Sequence, residues 1–124
     1  MDDLKDLCGD LDGMAARLEE AHAAAATPAA RREVVTMMAV VTGLQLIILR
    51  KCGDWPGPLR RIGISETTAW NYMRLAAFAG AAPVLFRNLV SLRMGELYRL
   101  ARLGPAKAAE LYPEAALQGP QEAC

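Results

Sequence analysis

Between Arg60 and Arg74 the chain sets out side chains of the kind that a helix entering a DNA groove requires. They are Arg60, Arg61, Ser65, Glu66, Thr67, Thr68, Asn71 and Arg74. Asparagine can bond bidentately to adenine, arginine to guanine, and a threonine methyl can pack on that of thymine. Backbone N–H groups at a helix start, joined by Arg60 and Arg61, can hold phosphates. At about 100° per residue, Thr67, Asn71 and Arg74 project opposite Ala69, Met73 and Ala76. The first three are expected to face outward and the second three inward. A helical hairpin with a merely solvated polar face would show the same residues, so the turn between the helices carries the distinction.

That turn falls within Leu59–Ala76, LRRIGISETTAWNYMRLA. A helix-turn-helix reverses at a small residue able to take positive φ, and Gly63 stands at that point. Ile64 follows to pin the turn to the core, and Ser65 can cap the second helix. Ala69, Tyr72, Met73 and Ala76 recur at helical spacing as its inner face, Ala69 being small enough for close approach. This recognition helix is expected over 65–79 and closed by Gly80. The turn formers of DWPGPLRR leave room before it for a short helix only, near Pro58–Ile62.

The remaining elements are also helical. Leu4, Leu7, Leu11, Met14 and Leu18, at alternating steps of three and four, make an apolar stripe with acids on the other face. This reads as a partner-dependent arm or a dimerisation helix, dispensable for folding. Thr27 can cap and Pro28 open a helix running to about Lys51 and ending at Cys52-Gly53. Pro83 opens a segment with Val84, Leu85, Leu89, Val90 and Leu92 inward. A helix follows over about 93–103, stopped by Gly104, and Pro105 begins a last short one ending at Tyr112-Pro113. No period-two run indicates a strand. The expectation is a small all-α, multi-helix domain containing a helix-turn-helix. An acidic helical arm and Ala-rich hinge occupy 1–27, the DNA-binding domain 28–113, and a disordered tail 114–124.

The balance of 14 basic and 14 acidic residues conceals an asymmetry. Residues 1–20 carry a net −5, whereas residues 50–107 carry ten bases against Asp54, Glu66 and Glu96, a net +7. An acidic arm before a basic domain points to an anionic partner for one half. Cys8, Cys52 and Cys124 are odd in number and far apart, which suits a reducing cytoplasm. The aspartate-rich start does not read as a signal peptide. Val34 to Leu49 is uncharged but short, and it contains Thr36, Thr42, Gly43 and Gln45, so it reads as a core helix rather than a membrane span. His22 is the sole histidine, and no paired carboxylates, metal spacing or phosphate-cradling glycine loop accompanies it. The sequence therefore offers no catalytic residue, cofactor, metal or small-molecule ligand. Trp55 is expected to pack its turn and Trp70 to pack at the flank of its helix. Phe78 is expected to face outward, and Arg93, Arg99 and Arg102 to form a solvated face.

The run Leu46–Ala76 resembles a bacterial and phage-associated domain of unknown function, the DUF3102 type. The features that carry it are Lys51, Gly53-Asp54-Trp55, Ile64-Ser65, Thr68-Ala69 and Tyr72-Met73-Arg74. Ser91 to Leu111 is similar to helices that follow such a motif in partition-protein-like DNA binders. Pro56-Gly57-Pro58 and the Arg60-Arg61 pair depart from the pattern. The resemblance implies DNA binding in a mobile-element or phage setting. The sequence thus leads to a non-enzymatic, cytoplasmic, homodimeric protein that binds double-stranded DNA and regulates transcription or serves a mobile element. The rival is a protein–protein adaptor or phage packaging subunit, which would show an exposed apolar groove in place of a shared basic surface.

Overall fold

A local instruction builds the helical hairpin at the start of the chain. Thr27 Oγ1 accepts the backbone N–H of Ala30 at 3.1 Å, and Pro28, with no N–H to leave unpaired, opens the next helix. The computed structural model describes residues 2–51 and 63–117 and places α1 at Asp2–Ala24 and α2 at Pro28–Lys51. Leu11, only 3% exposed, packs with Val41 and Ile48 of α2, flanked by Ala15 and Leu18. Gln45 Nε2 donates to Asp12 Oδ1 at 2.8 Å across the same contact. The arm therefore lies along its own α2 and covers apolar surface there. Met14, expected in the buried stripe, is exposed. The short Ala15 takes the inner place and turns Met14 outward.

The second crossing is closer. α3, Glu66–Ala81, passes over α2 at Gly43. A Cβ on Gly43 would collide with the Tyr72 carbonyl oxygen, lie 2.6 Å from its carbon and reach 3.0 Å from the Ala76 Cβ. Glycine is what lets the two backbones meet here. Beside the crossing, Leu46, Ala69 and Met73 are buried together, and the inward face expected of the second helix is found. α2 is long and apolar enough by composition to cross a membrane. In this fold its Val41 and Ile48 meet α1, while Gly43 and Leu46 meet α3.

The last four helices close the core. They are α4 (Pro83–Leu89), α5 (Met94–Leu103), α6 (Pro105–Leu111) and α7 (Pro113–Leu117). Three expectations change. Gly80 does not close α3, which runs on to Ala81 and is capped at Ala82, whose N–H bonds to the Phe78 carbonyl. Phe78 is 3% exposed, because α4 folds back and sets Phe86 edge-on against it, with ring centroids 5.9 Å apart. The segment from Glu114, expected as the start of a disordered tail, begins inside α7. There Ala115 is buried and its carbonyl accepts from Asn88 Nδ2 at 2.9 Å. The glycine stop at Gly104 is as expected, with φ 97° and its N–H bonded to the Leu100 carbonyl. The protein is all-helical, with seven helices and no strand among the described residues.

Candidate nucleic-acid interface

Gly63 adopts φ 74°, the left-handed conformation that the turn was expected to need. Ile64, half-buried, packs on the Leu46–Ala69–Met73 cluster and holds the turn to α2. Ser65 then caps α3. Its Oγ accepts the N–H of Thr68 at 3.1 Å and donates to Thr68 Oγ1 at 2.9 Å. Two residues expected to contact DNA are thus engaged in fixing the helix start. Their contribution to any interface is to aim the helix rather than to reach a base.

The outward face of α3 is rotated relative to the sequence projection. Glu66, Thr67, Arg74, Ala77, Gly80 and Ala81 are exposed, and Trp70 is half-exposed among them. At about 100° per residue these fall within an arc of roughly 140°. Asn71, expected beside Arg74 at the centre, stands half-buried at the margin. The cause is α4 and α5, which cover the far side of α3 and bury Leu75 and Phe78. Glu66 lies in the first turn, where a negative charge suits the helix dipole.

The last turn of α2 joins this face. The Arg50 guanidinium carbon sits 4.6 Å from the centroid of the Trp70 ring, a cation–π distance that ties the end of α2 to α3. Arg50, Lys51, Trp70, Arg74, Ile47, Met73 and Ala77 surround an open cleft of about 480 Å³. Among the described residues, three cations and no carboxylate line it. Lone basic side chains at a helix C-terminus also relieve the helix dipole, but Arg74 belongs to a different helix and is directed to the same space. In the sequence Arg50 and Lys51 count toward the basic excess without being marked for the site. The signal for them was Ile64, whose packing on Leu46 sets the start of α3 beside the last turns of α2. Arg60, Arg61, the short helix at 58–62 and Trp55 lie outside the described residues.

The other arginines divide. Glu96 receives Arg99 Nε at 2.5 Å, Arg99 Nη2 at 3.0 Å and the Tyr112 hydroxyl at 3.0 Å. The Arg99 hydrogen bond, then that of Tyr112, hold the Glu96 carboxyl below its ordinary range, and the same contact to Glu96 raises the Tyr112 hydroxyl. Arg93, Arg99 and Arg102 are all exposed, as expected of a solvated face, and Arg99 is in addition paired with Glu96. Burial, and next the neighbouring Tyr72, raise the Tyr98 hydroxyl. His22 borders a shallow groove with Val35, Met38 and Tyr72. Compared with protein-family models, with curated proteins and with solved structures, the chain finds no match.

Proposed function

We propose that the protein binds double-stranded DNA through the exposed face of α3. In this reading it is a cytoplasmic, non-enzymatic regulator of transcription, or a DNA binder of a mobile element or phage, and it works as a homodimer. One observation carries the reading. Arg74 of a side-chain-capped helix that follows a left-handed glycine shares a cleft with Arg50 and Lys51 of the helix behind it, with no acid among the described residues that line it. In this role Arg74 and Thr67 face the bases, Asn71 reaches them from the margin, and Glu66 can accept from a cytosine amine. Arg50, Lys51, Arg60 and Arg61 hold phosphates, and Ser65 and Thr68 keep the helix start rigid. A two-fold pair would present two such helices to a two-fold site.

Mobility shift on random duplex at graded salt tests this. Each phosphate that is no longer neutralised should flatten the slope of log K against log salt by about 0.9. Arg50→Ala with Lys51→Ala should therefore flatten it while base preference stays. Arg74→Ala should relax preference at one position of selected sites. Salt-independent affinity, or slopes unmoved by these substitutions, would overturn the reading. The adaptor reading draws on a different observation, an apolar cleft between α2 and α4. It predicts capture of a protein partner that survives Arg74→Ala.

A further inference from the structure

On the first half of α2, Val34 and Met37 stand half-buried opposite Phe86 of α4 and Val90 at its end, around a cleft of about 430 Å³. The α3 residue that lines it, Ala79, lies about 140° around that helix from Arg74. Two exposed charges border it, Glu33 on α2 and Arg87 on α4. They share the cleft without pairing with each other, and neither carries an ion pair or hydrogen bond with another described residue.

We propose that this face docks on the same face of a second copy of the chain, with Glu33 of each subunit set over Arg87 of the other. A closed two-fold contact uses one patch twice, so the patch must complement itself. A patch bearing one sign of charge would repel its own copy. One acid and one base at separate points, around an apolar middle, are satisfied when a half-turn exchanges them. A wholly acidic or wholly basic partner would leave one of the two facing its like, which disfavours a foreign occupant of single charge. The apolar middle supplies the affinity. Exposed ion pairs at a rim contribute little, and their part is to select the orientation through the penalty on like charges. The inference deepens the dimeric part of the reading above by naming the surface; it does not depend on what α3 contacts.

Sedimentation equilibrium of the full chain tests it with Glu33→Arg, Arg87→Glu and the double reversal. Each single reversal places two like pairs across the axis and should weaken dimerisation about tenfold or more. The double reversal restores opposite pairs and should return the dissociation constant to within about threefold of wild type. Both residues are exposed, and unchanged melting and helical circular dichroism would show that the fold is kept. Met37→Asp, which puts a charge in the apolar middle, should abolish dimerisation. A wild type that stays monomeric, a dimer indifferent to either reversal, or a double variant no better than the singles would overturn the proposal. Mobility shifts of the monomeric variant separate the two readings. If the Arg74-dependent shift persists while sedimentation shows no Glu33–Arg87 coupling, only the docking surface falls. If coupling holds and no shift occurs, only the DNA reading falls.

Discussion

Gly43 and Gly63 serve the fold in opposite ways, and substitution should tell them apart. Around Gly63 a Cβ would meet nothing among the described residues, so the cost of replacing it is the positive φ alone. Gly63→Ala should lose about 1 kcal/mol, and the β-branched Gly63→Val more. At Gly43 the helical φ is ordinary, and alanine would gain about 1 kcal/mol in an isolated helix. Here the Cβ meets the backbone of α3 itself, which cannot rotate away. Gly43→Ala should therefore destabilise by about 1–3 kcal/mol despite better propensity, read as a lower melting temperature than Gly63→Ala gives. The positive φ of Gly63 was legible in the sequence because a tight turn states its demand locally. The role of Gly43 was not legible, because only the placement of Tyr72 creates it. Thr36 makes a second test. Its side chain is fully buried and its hydroxyl has no hydrogen-bond partner among the described residues. Thr36→Val removes a polar group that gains nothing from burial, so stability should hold or rise. A fall of about 1 kcal/mol or more would show that the hydroxyl is bonded after all.

At the scale of helices, caps and stops were readable and facing was less so. Thr27-Pro28, Ser65 and Gly104-Pro105 mark real boundaries, because unpaired N–H groups and positive φ are needs of a few adjacent residues. Phe78 and Asn71 were misplaced because α3 is covered on two sides, which a single projected face does not convey. The contact between α5 and the end of α6 gives these helices a pH signature. Glu96 is held below its ordinary value of 4.5, so its contribution is present above that pH and is lost as pH falls through the lowered value. Tyr112 is raised above 10.0, so its share is present below pH 10.0 and is lost as pH climbs past the raised value. In urea unfolding, wild type should exceed Glu96→Gln in stability at neutral pH, and the gap should close below pH 4.5. A gap that persists unchanged at pH 3 would mean that Arg99 and Tyr112 hold the carboxyl no better than water does.

Across the whole molecule the division of charge bears on the proposed DNA surface. Residues 1–20 carry a net −5 and residues 50–107 a net +7. The hairpin does not keep these apart. With Asp12 bonded to Gln45 and the helices antiparallel, α1 runs toward its start as α2 runs toward Arg50 and Lys51. Six residues from that bond in either direction is about 9 Å along each helix axis, which brings the turn carrying Asp6 level with the end of α2 at Lys51. At about 10 Å in water a unit charge pair interacts with roughly 0.4 kcal/mol before screening, and the Debye length at physiological salt is about 8 Å. On the proposed DNA reading, the acidic start should therefore oppose an incoming phosphate weakly but in sum. Replacing Asp2, Asp3 and Asp6 with asparagine should tighten non-specific duplex binding about two- to fivefold at low salt. The gain should shrink toward nothing as salt rises. Unlike deletion of the arm, these substitutions leave Leu11 in place against Val41 and Ile48, so the change reads charge and not folding. Equal affinity for wild type and the triple variant at low salt would make the acidic start a bystander. The basic face would then meet DNA without internal competition.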